Sequence, residues 1–300
     1  MSEPAPIPGR GAVELIIPGR ARGVGNIEVA RLIPVAARRA VGPFVFLDHM
    51  GPVALPPGQR FDVLPHPHIG LSTVTYLFDG AVMHRDSIGS VQLIRAGEIN
   101  LMTAGRGVAH SERTPEESLA QGQTMHGLQF WLGLPAELED CEPGFWHHAR
   151  EEFPALELDG AHLRVLIGAW NGRASPVQHP TSPTLVEIAL TQGGTFTVTS
   201  ELAECALYVV SGAIEVEGEA HATHTLLIRA HGQSFTARAL TDSKLVLLGG
   251  PPLDGRKHMD WNFVSSSLDK ITAAKAAWKA RTWPKIPGDD QEFVPYPSAR

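Results

Sequence analysis

The residues best able to do chemistry lie in one 47-residue window, 66 to 112. It opens His66-Pro67-His68-Ile69-Gly70 and closes Gly105-Arg106-Gly107-Val108-Ala109-His110-Ser111-Glu112. On a β-strand, side chains two residues apart share a face. His66 and His68 therefore converge on one point, as do His110 and Glu112. The strands and hairpin between them would bring the two pairs together across a barrel interior. Three imidazoles and one carboxylate suit one divalent ion, Fe(II), Mn(II), Ni(II), Co(II) or Zn(II), and are too rich in nitrogen for Ca or Mg. A six-coordinate ion on these four donors keeps two open positions. Open positions serve catalysis or ligand sensing, since purely structural sites are closed.

Such spacings need strands, and the composition agrees. Gly 30 and Pro 24 in 300 residues point to short strands and many turns. The length accommodates two domains at roughly 150 residues each, and 43% apolar with 19% charged residues excludes disorder. A net charge of −7 offers no grip on phosphates, which argues against direct nucleic-acid binding. No apolar run approaches the roughly 18 residues of a membrane span, and the Pro-rich start MSEPAPIPGR has no signal-peptide core. Cys141 and Cys205 form no CxxC, so neither a disulfide framework nor a thiolate zinc site is expected. A cytoplasmic, membrane-free protein is the expectation.

The chain to about residue 25 is rich in Gly, Pro and Arg and reads as an arm. From Ile27 onward, short β-like runs alternate with turns, and Asp79-Gly80 marks a hairpin. The second half repeats this texture. Tyr76-Leu77-Phe78-Asp79-Gly80-Ala81-Val82 matches Tyr208-Val209-Val210-Ser211-Gly212-Ala213-Ile214 at an offset of 132, and Leu93-Ile94-Arg95-Ala96 matches Leu227-Ile228-Arg229-Ala230 at 134. These suggest a duplicated β-domain, divided as 1–140 and 141–300. One helix is expected over Leu268–Trp278, capped by Ser267, followed by an extended tail containing Pro284, Pro287, Pro295 and Pro297. At the repeat offsets, His66 and His68 fall on Val198 and Ser200, and His110 and Glu112 near Lys244 and Val246, so the second barrel is expected to lack a metal site. His221, His224 and His231 fit neither ligand spacing and read as loop or surface residues.

The window HPHIGLSTVTYLFDGAVMHRDSIGSVQLIRAGEINLMTAGRGVAHSE resembles the pirin family of the cupin superfamily. Phe46-Leu47-Asp48-His49-Met50-Gly51-Pro52 resembles that family's FLDxxGP segment, and Gly127-Leu128-Gln129-Phe130-Trp131 its GLQLW strand. The resemblance implies an all-β bicupin: two antiparallel jelly-roll barrels, a short C-terminal helix and a tail, with iron in the N-terminal barrel. Carried over residue by residue, the ligands are His66, His68, His110 and Glu112. Many pirins have Glu where this chain has Ser72, so hydrogen bonding around the ligands is expected to differ there.

Two functions follow from the resemblance. One is Fe(II)-dependent dioxygenase chemistry of quercetinase type, with a flavonol-like substrate, dioxygen and Glu112 as the catalytic proton acceptor. The other is a metal- or redox-sensing module that docks on a protein partner such as a transcription factor or a metabolic enzyme. Phe46, Phe61, Phe130 and Trp131 are aromatic candidates for a pocket, with core packing as the simpler reading of each. His84-Arg85-Asp86 imitates a kinase catalytic loop, but no matching Asn or phosphate-binding glycine loop accompanies it.

Overall fold

The computed structural model describes residues 4–158 and 160–297. The chain is mostly β-sheet and divides into two compact units. One unit comprises residues up to Arg22, Ala30–His49 and Glu151–Pro252; the other comprises Gly23–Val29, Met50–Arg150 and the residues from Leu253 onward. The units are thus not two consecutive stretches: each takes in segments from the other half of the sequence.

The unit holding the 66–112 window is built on two sheets. One is four-stranded, in the order Val63–His68, Val108–Arg113, Ala81–Asp86, Val91–Arg95. The other runs Gly144–His148, Ile99–Thr103, Leu71–Asp79, Gln123–Gly133 within this unit. Alternation along these strands divides the interior into two zones. Leu77, Val82, Ile94, Phe61 and Met125 pack as an apolar cluster. The histidines and their polar neighbours occupy the other zone.

The second unit repeats the plan. Its four-stranded sheet runs Thr195–Val198, Phe235–Ala239, Ala213–Val216, Glu219–Ala222, and an eight-stranded sheet carries Val13–Pro18, Thr225–Arg229, Glu204–Ser211 and Ser243–Gly250 side by side. Residues two apart supply its core: Leu163 and Val165, Val186 and Ile188, Leu207 and Val209, Leu245 and Leu247. The first stretch is therefore no arm. Val13 and Ile17 are buried, and Ile16 sits opposite Leu227 in the sheet.

Of the two sequence repeats, the first is structural. Asp79-Gly80 and Ser211-Gly212 both turn the chain tightly from one sheet into another, so the strands they join do not pair and neither closes the expected hairpin; Gly80 lies at φ +82° and Gly212 at +83°, where a side chain is strained. The second is not. Val91–Arg95 pairs with Ala81–Asp86, whereas Thr225–Arg229 pairs with Glu204–Ser211, as Ile99–Thr103 pairs with Leu71–Asp79. By sheet order, the counterpart of Val108–Arg113 is Phe235–Ala239 rather than the strand containing Lys244 and Val246. Phe196, Val198, Phe235 and Ala237 are all buried there in the apolar core.

Two helices are described. Leu268–Lys279 starts where expected, with the Ser267 side chain accepting from the Lys270 backbone N–H. A short helix, Glu116–Gln121, went unforeseen; Pro115 precedes it, two glutamates fill its first turn and Gly122 ends it at φ +79°. The longer helix and the tail pack within the unit that holds the 66–112 window. Ile271, Ala274, Trp278 and Ile286 bury Ile69 and Ala109 on the outer face of the histidine strands. Polar anchors hold the same segment. Buried Glu139 accepts from Lys257, Ser265 and Ser266, and Asp289 accepts from Arg113 and Ser111.

Candidate metal centre

His66 and His68 stand two apart on Val63–His68, and His110 lies directly opposite His66 on the neighbouring strand. Tight turns set these strands in place. At Gly105, φ is +50° and an added Cβ would lie 2.0 Å from the Cys141 carbonyl oxygen, so only glycine fits before the strand carrying His110. The result is a buried cluster in which one nitrogen from each of His66, His68 and His110 lies within 4.8 Å of the other two. His68 and His110 are each 1% exposed.

The outer nitrogen of each ring is already engaged. His66 Nδ1 donates to the Leu64 carbonyl at 2.9 Å, and His68 Nδ1 donates to the Asn262 carbonyl at 3.0 Å. His110 Nδ1 lies 3.4 Å from His84 Nδ1. A carbonyl only accepts, so Nδ1 carries the proton and Nε2 of His66 and His68 keeps a bare lone pair. Burial reinforces this state. It pushes His66 down to about 4, against the hydrogen bond to Leu64, and holds His68 and His110 well below the usual imidazole range. Neutral imidazoles with fixed tautomers and convergent lone pairs are what a divalent cation requires. The donor set therefore fits a cupin metal.

Glu112 stands apart from the three-histidine group. The register slips between His110 and Glu112, which faces Val63 rather than Leu64. Its carboxylate accepts from Thr75 Oγ1 at 3.2 Å, and Thr75 also contacts Gln129 Oε1 at 2.9 Å. Burial raises the proton affinity of Glu112, with His84 and Thr75 acting in the opposite sense.

The aromatic candidates separate cleanly. Trp131 meets His68 edge-on, with ring centres 5.1 Å apart. Phe61 belongs to the apolar cluster of the same unit. Phe130, opposite Val74, sits on the other face of its strand from Trp131. Phe46 falls in the other unit, beneath the Arg31 guanidinium. Ser72 also lies off the site. It bonds Thr103 at 2.8 Å on the strand face opposite Thr73 and Thr75, so the departure at Ser72 leaves the metal-facing hydrogen bonds alone. In the second unit, His231 is exposed; His221 is buried, and His224 packs edge-on against His49 at 4.8 Å.

Sequence spacing missed Asn262 and Thr75. Asn262 lies 194 residues from the ring it orients, and a backbone carbonyl leaves no residue-type signal. Thr75 was hidden in an ordinary strand pattern.

Comparison with known proteins is consistent with this geometry. Residues 26–132 match the family model Pirin, and residues 185–284 match the Pirin C-terminal cupin domain. A pirin-like protein of Caulobacter vibrioides is 44% identical over 95% of this chain and 99% of its own length. A solved quercetin 2,3-dioxygenase from Acinetobacter baumannii superposes with a TM-score of 0.88 at 31% identity, covering 95% of each chain. A pirin from Escherichia coli solved with nickel(II) shares the fold, with a TM-score of 0.61 at 21% identity over 79% of this chain and 99% of that one. With a three-histidine cluster buried in one of two cupin barrels and this likeness along nearly its whole length, the chain belongs to the pirin family.

Proposed function

We propose that this chain is a metal-dependent dioxygenase of quercetinase type that cleaves a flavonol-like substrate, with one Fe(II) held by His66, His68, His110 and Glu112. The observation that carries the reading is the buried convergence of one nitrogen from each of His66, His68 and His110, with Nε2 of His66 and of His68 left bare by the carbonyls of Leu64 and Asn262. The likeness to the Acinetobacter baumannii quercetin 2,3-dioxygenase supports the substrate class. When bound, the ion supplies a Lewis-acidic, redox-active centre for the deprotonated enol oxygen of the substrate and for dioxygen.

The chain's own residues do the rest. Glu112 is the one carboxylate of the set and takes the substrate hydroxyl proton; burial raises its proton affinity above that of an exposed carboxylate. Thr75 steadies the carboxylate when it is not so engaged. Trp131 walls the cluster beside His68 and excludes water from it. The same reading places the protein in a reducing cytoplasm, where Cys141 and Cys205 stay as the free thiols seen here.

Anaerobically Fe(II)-loaded protein given quercetin tests the proposal, read by oxygen uptake and carbon monoxide release with His68→Ala alongside. Turnover that needs both metal and His68 is expected. Tight iron binding without turnover would overturn the reaction and favour the redox-sensing role.

A further inference from the structure

The segment His84-Arg85-Asp86 has no kinase role, yet two of its side chains reach the histidine cluster. Ala81–Asp86 pairs with Val108–Arg113 so that Asp86 stands opposite His110 and His84 opposite Glu112. Both side chains are buried, His84 at 4% exposure and Asp86 at 0%. Asp86 Oδ1 accepts the backbone N–H groups of Ile88 and Ser90 at 3.1 and 2.8 Å, which fixes the carboxylate. Its Oδ2 accepts from His84 Nε2 at 3.0 Å. A neutral His84 that donates through Nε2 has a bare Nδ1, and that atom faces the Nδ1 of His110. Phe145 stacks on the His84 ring with centres 4.5 Å apart and planes 25° apart, which fixes the ring's orientation.

We propose that His84 and Asp86 are positioning residues for the metal: together they hold His110 in its Nδ1–H tautomer and so present its Nε2 to the ion. The inference rests on reading the three histidines as ligands. His66 and His68 get the same service from the carbonyls of Leu64 and Asn262. His110 alone is served by a side-chain relay that ends in a carboxylate. An anionic terminus polarises the relay toward the ion and makes the ligand a stronger donor than a carbonyl partner would.

The test is Co(II) binding by the full chain, measured by chelator competition together with the visible spectrum of the bound ion. His84→Phe keeps a ring on Phe145 but removes the acceptor. We expect Co(II) affinity to fall about 10- to 100-fold and the spectrum to shift. His84→Gln restores both functions, since a carboxamide accepts from His110 and donates to Asp86, and it should recover affinity and spectrum to near wild type. Asp86→Asn turns a donor toward His84, forces the opposite tautomer on it and should bind as weakly as His84→Phe.

Thermal melts of the metal-free variants establish that each is folded; should His84→Phe fail to fold, the contrast between His84→Gln and Asp86→Asn decides. Wild-type affinity and spectrum in both His84→Phe and Asp86→Asn would overturn the relay and leave the metal site standing. His84→Gln as weak as His84→Phe would overturn it too, by making ring packing the cause. Wild-type protein that leaves Co(II) with the chelator would overturn the metal site and the relay together.

Discussion

His68 and His110 face each other through their Nε2 atoms at 3.1 Å, from neighbouring strands and with their Nδ1 atoms turned to Asn262 and His84. With His68 Nε2 bare, the contact is either an N–H···N hydrogen bond donated by His110 or, once His110 carries its proton on Nδ1, a pair of lone pairs that a cation between them would satisfy. The pair is compatible with a cation, and the hydrogen bond behind His68 and the His84 contact behind His110 orient the two rings toward each other.

Removing either ring should abolish tight metal binding. His68→Ala and His110→Ala are each expected to leave gel filtration with little bound iron, where the wild-type protein retains one equivalent per chain. Elemental analysis checks the metal, and circular dichroism checks that the β-structure persists.

Glu112→Gln keeps the side-chain shape and the contact with Thr75 but removes the proton acceptor. Turnover of quercetin should fall by about 100-fold or more, the scale of a lost general base. Full turnover with full metal content would exclude the role assigned to Glu112.

The anchors of the C-terminal segment carry a pH signature. Burial raises the proton affinity of Glu139, but hydrogen bonds from Ser265, Lys257 and the Ser266 N–H prevail and hold it below the usual carboxylate range. Asp289 is depressed in the same way, against burial, by Arg113 and Ser111. A depressed carboxylate stabilises the fold fully above its unfolded value, about 4, and loses that contribution as pH falls through its folded value. Glu139→Gln should therefore lower the melting temperature at pH 7, by the equivalent of about 3 kcal/mol for a broken buried pair. The difference from wild type should shrink as pH falls below the unfolded value, about 4, and through the lower folded one, as differential scanning calorimetry would record.

Metal stoichiometry should be one per chain. His221→Ala and His224→Ala are expected to leave Co(II) stoichiometry and affinity unchanged, because Phe196, Val198, Phe235 and Ala237 fill the second barrel with apolar side chains. A second equivalent lost in either variant would show that the second unit binds metal.

Much of this was legible because β-strand chemistry has period two. His66 and His68 announced a shared face, and Asp79-Gly80 and Ser211-Gly212 announced two tight turns, although each passes the chain between sheets and forms no hairpin. Partnership across the chain was harder to read. The strand Val13–Pro18 looked like an arm because its partner, Thr225–Arg229, lies some 200 residues away and leaves no local mark. The Leu-Ile-Arg-Ala repeat misled for the converse reason: two strands of similar composition occupy different places in their sheets. Ser72 was suspected through its position after Gly70, but alternation turns it away from the histidines. His84 and Asp86 were visible as residues, although only the register with His110 gives them a use.

The carbonyl of Asn262 has a consequence in time. A ribosome adds residues from the N-terminus at about 5–20 per second, and Asn262 follows His68 by 194 positions. For roughly 10–40 s after His68 is made, its ring has no partner to set its tautomer. On the proposed reading, metal loading waits until Asn262 has been made. Chains arrested before residue 262 should emerge without iron however much is supplied, so a carbonyl made late would license a ring made early.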